Sequence, residues 1–162
     1  MVSNKKTKVF LSGAEVTLTY LKSTELPDFK KITSASIIPF LPDGRMVSVS
    51  LDRGMDIPGG HKEACDKNLH DILKRESLEE AGIVIENEII IVQVILSDYY
   101  EDDSYMVIAT GFVKEMHEPF IPKHESFGRK IVTVEEFLEK YDSVIKKEFV
   151  DIVLQAKSLL FS

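Results

Sequence analysis

A chain of 162 residues, 44% hydrophobic and 29% charged, is long enough for one domain with its own core, without disulfide or metal staples. Its net charge of −7 argues against a protein that grips a nucleic-acid backbone, which takes a basic patch. A nucleotide substrate stays open, because a bound cation dominates the field around it.

The basic start, Met1 to Gly13, has too short an apolar run for a secretory signal. The first predicted element is a small hairpin, with Val9–Leu11 and Val16–Tyr20 around Ser12-Gly13. Ile32 to Leu41 reads as a strand closed by Pro42-Asp43-Gly44, and Arg45 to Leu51 as its returning partner. Within the second strand Val47, Val49 and Leu51 share one face, and Met46, Ser48 and Ser50 the other. A loop from Arg53 to Gly60 leads to a helix expected from an Asn68 cap, with Asp71 at N3, to Ala81, with Gly82 as its stop. Leu69, Ile72, Leu73, Ser77 and Ala81 form its core face.

A second hairpin follows, residues 88–97 and 104–113 around a turn at 98–103. Lys130 to Val134 is a short strand. Two helices close the chain at 134–141 and 144–160, the second turning Ile145, Phe149, Ile152, Val153 and Leu159 inward. The longest apolar run, Ile89 to Leu96, is broken by Gln93 and falls far short of a membrane span. No repeat or linker divides the chain, so residues 1–162 are expected to form a single domain of α+β class. The lone cysteine, Cys65, excludes an intrachain disulfide and suits a reducing, cytoplasmic setting.

The chemistry concentrates in residues 58–83. Glu76, Glu79 and Glu80 lie at helical i, i+3 and i+4 positions and project together, each like-charge pair costing about 0.2–0.5 kcal/mol. A hard divalent cation, which takes oxygen ligands, reverses that sign. Arg75 sits where it can hold a carboxylate, and the Pro58-Gly59-Gly60 turn lets backbone carbonyls approach the same spot. Arg53, at the end of a strand, is a candidate phosphate contact. The four histidines lack metal-ligand spacing and are assigned to no zinc site.

This stretch resembles the Nudix box, G-x5-E-x7-R-E-U-x-E-E-x-G-U with U aliphatic, and matches it at Gly60, Arg75, Glu76, Glu79, Glu80, Gly82 and Ile83. The resemblance covers residues 32–160 and leaves the first 31 residues, the hairpin extension, to local reading. It implies an α/β/α sandwich around a mixed β-sheet. The activity it implies is metal-dependent hydrolysis of a nucleoside triphosphate or related pyrophosphate, of the mutator-like (MutT-like) kind, by water attack on phosphorus. Mg²⁺ is the implied cofactor, with Mn²⁺ as the alternative. Metal binding falls to Glu76, Glu79, Glu80 and the Gly60 carbonyl, and Arg75 orients a carboxylate. A general base outside the box is expected shortly before the strand that leads into the C-terminal helices, where Glu125 stands; Glu118, Asp98 and Asp102 compete for the role. Tyr99 and Tyr100 lie near the distance at which some relatives stack an aromatic ring on a base.

The chain departs from the box in two places. Asp66 stands where Glu is usual, with eight residues instead of seven separating it from Arg75, and Cys65 replaces the preceding glycine. Asp66 is therefore doubtful as the partner of Arg75, and Asp71 is the alternative. A second class of function is a nucleotide-sensing module that keeps the fold without turnover. A third, isoprenoid diphosphate isomerisation, needs a cysteine acid elsewhere in the fold. The expected partner is a small-molecule nucleotide or nucleoside diphosphate derivative, with no nucleic acid and no membrane, and a homodimer is left open.

Overall fold

The computed structural model describes residues 4–100, 102–122 and 127–162. The N-terminal hairpin forms as expected, β1 (Lys5–Leu11) and β2 (Ala14–Leu21) meeting through the two-residue turn Ser12-Gly13. Both turn residues have positive φ, 51° and 81°, which the twist of a two-residue hairpin favours. The second hairpin is β8 (Ile90–Ser97) with β9 (Ser104–Met116).

The strands β3 (Ile32–Phe40) and β4 (Met46–Leu51) depart from the expected hairpin. They meet only at Phe40 and Met46. The reason is competition for backbone groups. One edge of β3 runs parallel to β9, from Ile32 opposite Tyr105 to Phe40 opposite Phe112. Its other edge receives β6 (Gly59–His61) at Ser34–Ser36. Strand β4 pairs instead with β5 (Gly54–Asp56) and β10 (Arg129–Val132), both antiparallel. The strand order is β1-β2-β8-β9-β3-β4-β10, with β5 on β4, β6 on β3, and β7 (Ile83–Ile85) on β9. One parallel pair inside an otherwise antiparallel sheet makes it mixed.

Helix α1 (Leu69–Ala81) covers one face, packing Leu69, Ile72, Leu73 and Ala81 on Ile37, Val47, Val49, Val107 and Ala109. The other face carries α2 (Val134–Lys140) and α3 (Lys146–Leu160) over Ile38, Phe40, Met46, Ile95 and Ile108. Neighbours such as Ile37 and Ile38, or Val47 and Met46, point into opposite cores because strand side chains alternate. The result is an α/β/α sandwich. On α3 the buried residues are Phe149, Ile152, Val153 and Ala156, and Leu160 packs beside them. Leu159, expected inward, is 39% exposed, because the 3.6-residue period that buries 149, 152, 153 and 156 next reaches 160. Among the described residues no helix is long and apolar enough to cross a membrane.

Candidate functional site

Helix α1 starts and stops where side-chain chemistry dictates. The Asn68 carboxamide oxygen accepts the Asp71 N–H at 2.9 Å, and Gly82 ends the helix in the left-handed conformation, φ 60°. Between those caps Arg75 is the hub. Its Nε and Nη2 donate to the two oxygens of Asp66 at 3.2 and 2.8 Å, a fork-on-carboxylate pair. Nη2 also donates to the His61 carbonyl at 3.0 Å, and Nη1 to Glu76 at 2.9 Å. Glu79 lies 3.6 Å from Nη1. The Arg75 side chain is 14% exposed and that of Asp66 only 2%. The guanidinium, helped by the Glu63 backbone N–H, holds the Asp66 carboxyl below the usual carboxylate range.

Asp66 is therefore the partner of Arg75, against the doubt its spacing raises. Asp66 keeps its place after Gly60, and a tight turn fixes its carboxylate: Glu63 N–H donates to Asp66 Oδ2 at 2.8 Å and Asp66 N–H to the Glu63 carbonyl at 3.0 Å. The extra residue lies between Asp66 and Arg75, where the Asn68 cap starts the helix. Cys65 sits exposed beside it. Among the described residues Ser12 is the only non-glycine at positive φ, so Cys65 fits without the freedom a glycine supplies. Asp71, the alternative partner, instead accepts the Lys67 N–H at 2.9 Å.

Pairing of β6 with β3 lays Gly59 and Gly60 against the acidic side of α1. A Cβ on Gly60 would run into the Glu76 carboxylate, and one on Gly59 into the Ser36 hydroxyl, so only glycine lets backbone and carboxylates approach this closely. Gly59 N–H donates to Glu80 at 2.9 Å. Burial pushes the Glu80 carboxyl up to about 7, and the neighbouring carboxylates of Glu76 and Asp56 add to the rise against the pull of the Gly59 N–H. Asp56 is a neighbour the sequence reading missed. It stands four residues before Gly60, and only the β5 turn brings it near Glu80.

The donor set fits a hard divalent cation: oxygen ligands, one of them desolvated beside like charge, around a glycine carbonyl. Even so, among the described residues no three His, Cys, Asp or Glu side chains converge as a metal cage. Arg75 draws Glu76 and Glu79 to its side, while Gly59 N–H fixes Glu80.

The remaining sequence candidates scatter. Arg53 pairs with Asp56 at 2.9 Å and is more than half exposed. Tyr99 and Tyr100 form an edge-to-face pair, centroids 5.0 Å apart, and line a cavity that His61 also lines. Glu125 lies outside the described residues. Of its competitors, Glu118 pairs with Arg129, which donates in turn to the Ala81 and Gly82 carbonyls at the end of α1. Asp98 accepts the Thr17 N–H at 2.8 Å, and Asp102 is exposed.

No protein-family model matches the chain, and no curated protein sequence does. Solved structures do match. A point mutant of the Bacillus subtilis pyrophosphohydrolase BsRppH is similar at a TM-score of 0.72 and 17% identity, covering 90% of this chain and 92% of its own. A NUDIX hydrolase from Nitrosomonas europaea gives 0.61 at 14% identity, with 78% and 91% covered. The NUDIX domain of Shewanella oneidensis NrtR, complexed with ADP ribose, gives 0.59 at 14%, with 80% and 92% covered. The chain has the Nudix fold.

Proposed function

We propose that the protein is a divalent-cation-dependent pyrophosphohydrolase that cleaves the diphosphate linkage of a nucleoside polyphosphate or related nucleoside diphosphate derivative. The observation that carries this reading is the half-buried fork of Arg75 on Asp66, its third nitrogen holding Glu76, beside Glu80 pinned to the Gly59 N–H. An ionic cluster withdrawn from water is weak evidence for stability, so its retention calls for another role. The pyrophosphohydrolase name of the B. subtilis neighbour supports the same chemistry.

In this reading Glu76, Glu79, Glu80 and the Gly60 carbonyl hold the ion. When bound, Mg²⁺ neutralises charge on the phosphate oxygens and lowers the pKa of an attacking water. Arg75, itself fixed by Asp66, keeps the Glu76 carboxylate in one orientation. Gly59 N–H does the same for Glu80 and favours its ionised form. Glu125 is the candidate base that takes the proton of the attacking water. The phosphorus–oxygen bond to the leaving phosphate breaks as the new one forms, giving two phosphorylated products. Arg53 would contact a phosphate and Tyr99 or Tyr100 a base.

Phosphate and pyrophosphate release from nucleoside triphosphates, oxidised dGTP, dinucleoside polyphosphates, ADP-ribose and nucleotide sugars tests this directly. Hydrolysis should require Mg²⁺, and Glu79→Gln should lower it at least about 10²-fold through lost transition-state stabilisation. Near-full turnover by that variant refutes the metal assignment. A second reading, a nucleotide-sensing module, draws on the absence of a converged carboxylate trio among the described residues. Nucleotide binding by thermal shift without turnover on any substrate would select it.

A further inference from the structure

The tip of the N-terminal hairpin has no place in the chemistry above, yet it faces the site. A cavity of about 290 Å³ opens beside the box loop, and Leu11 and Ser12 from the β1–β2 turn form one wall. His61, directly after Gly60, also lines it, and its carbonyl accepts from Arg75, which holds Glu76 as well. Tyr99 and Tyr100, packed edge to face on each other, also line it.

The lining has a definite chemical character. Among the described residues it contains hydroxyls, two apolar side chains, two phenols and one imidazole, and no Lys, Arg, Asp or Glu. A phosphate finds no cationic partner there. A flat uncharged group with hydrogen-bonding edges finds both an aromatic face and hydroxyl donors and acceptors. The volume is at the small end of ligand cavities, about 300–1,000 Å³, so it suits one nucleoside and not two.

Ser12 adds an independent observation. It holds φ 51° in a two-residue turn, where Asn or Gly is the preferred residue. Strain kept at one residue of a tight turn is a reason to ask what that residue touches, and Ser12 touches this cavity.

We infer that the hairpin tip, Leu11–Ser12, is a specificity-determining wall that closes the substrate site around the nucleoside of a mononucleoside polyphosphate, with Tyr99 and Tyr100 lining the same cavity and His61 at the junction with the diphosphate. The inference rests on the proposed hydrolysis only for the diphosphate end. The nucleoside pocket stands on its own lining.

Two substitutions separate this role from a structural one. Asn and Gly both accept positive φ, so Ser12→Asn and Ser12→Gly should melt at or above the wild-type temperature. The longer side chain of Ser12→Asn projects into the cavity. It should raise KM for nucleoside triphosphates, and the calorimetric Kd for AMP and GMP, about tenfold, on the scale of one base-stacking contact. The kcat should stay within about twofold, and hydrolysis of inorganic tripolyphosphate, which has no nucleoside, should not change. Ser12→Gly leaves the cavity open and should stay closer to wild type. Active wild-type enzyme with unchanged KM and Kd in Ser12→Asn overturns the inference and leaves the proposed function standing. Wild type that binds AMP or GMP but hydrolyses nothing, with binding weakened in Ser12→Asn, upholds the inference and sinks the hydrolase. Absence of mononucleotide binding to the wild type overturns it as well.

Discussion

Helices α1 and α3 lie on opposite faces of one sheet and are held there by different means. In α3 the work is done by packing. Phe149, Ile152, Val153 and Ala156 enter the core, the first turn carries Glu148 and the last Lys157, in keeping with the helix dipole, and no side chain caps the start. In α1 the buried face is not purely apolar: it includes Ser77, whose hydroxyl has no hydrogen-bond partner among the described residues. Three glutamates crowd its C-terminal half, where the dipole disfavours them, and its last turn has no basic residue. What α3 lacks, α1 has: a side-chain cap at its start, a left-handed glycine at its end, and Arg75 bracing it to the loop. The contrast separates a helix selected for the core from one selected for the site. The second kind is held at its ends and edges because its face is committed elsewhere.

Three substitutions sharpen or break this contrast. Ile152→Ala on α3 should have the largest effect, destabilising by about 2–5 kcal/mol as a core truncation. Turnover per folded molecule should be retained. Urea unfolding followed alongside activity checks both, and a large loss of kcat in folded protein would mean that α3 shapes the site. Asn68→Ala should cost about 1 kcal/mol by removing the cap of α1. If unfolding shows no change, end-capping is not what holds that helix.

Glu80→Gln should give the smallest change in stability, and of opposite sign. The Gln oxygen still accepts the Gly59 N–H, while a charge beside Glu76 and Asp56 is removed. Because burial raises the Glu80 carboxyl from an ordinary 4.5 to about 7, the folded state binds this proton more tightly than the unfolded chain does. The associated stability is fully present below about 4.5 and is lost as pH rises through about 7. Without added metal, Glu80→Gln should therefore melt higher than wild type at pH 8, by less than about 1 kcal/mol because the group keeps some solvent. The two melting curves should converge near pH 5. A gap that widens toward acid would reverse the assigned direction.

What the sequence disclosed and what it hid follow one division. Caps are local chemistry, so Asn68 and Gly82 are legible from their own side chains and neighbours. Face assignments on long elements follow from periodicity, which is why Val47 and Met46 separate correctly and α3 errs only at Leu159. Pairing over distance is not legible. β3 and β4 look like a hairpin because only three-dimensional competition from β6, on the edge of β3 that β4 would take, separates them. The three-residue strands β5, β6 and β7 are too short for any alternation to register. The same holds within the site. The glutamate ladder is readable at i, i+3 and i+4, but Asp66 looks displaced until the fold sets its carboxylate on the Arg75 guanidinium. Asp56 reaches Glu80 only through the fold.

The parallel pairing of β3 with β9 also sets an order of assembly. These strands face each other across 72 positions of sequence, as the Thr110 hydroxyl bonded to the Ile38 carbonyl records. Joining them closes a long loop, whose entropic cost comes before any contact rewards it. Both hairpins, β1–β2 and β8–β9, can close locally and early. Helix α1 and the two glycines of the box lie inside the long excursion, and β6 has no strand to join until β3 is fixed in the sheet. Recovery of the site on refolding should accordingly follow the slow closure of the sheet centre and lag the first appearance of β-structure.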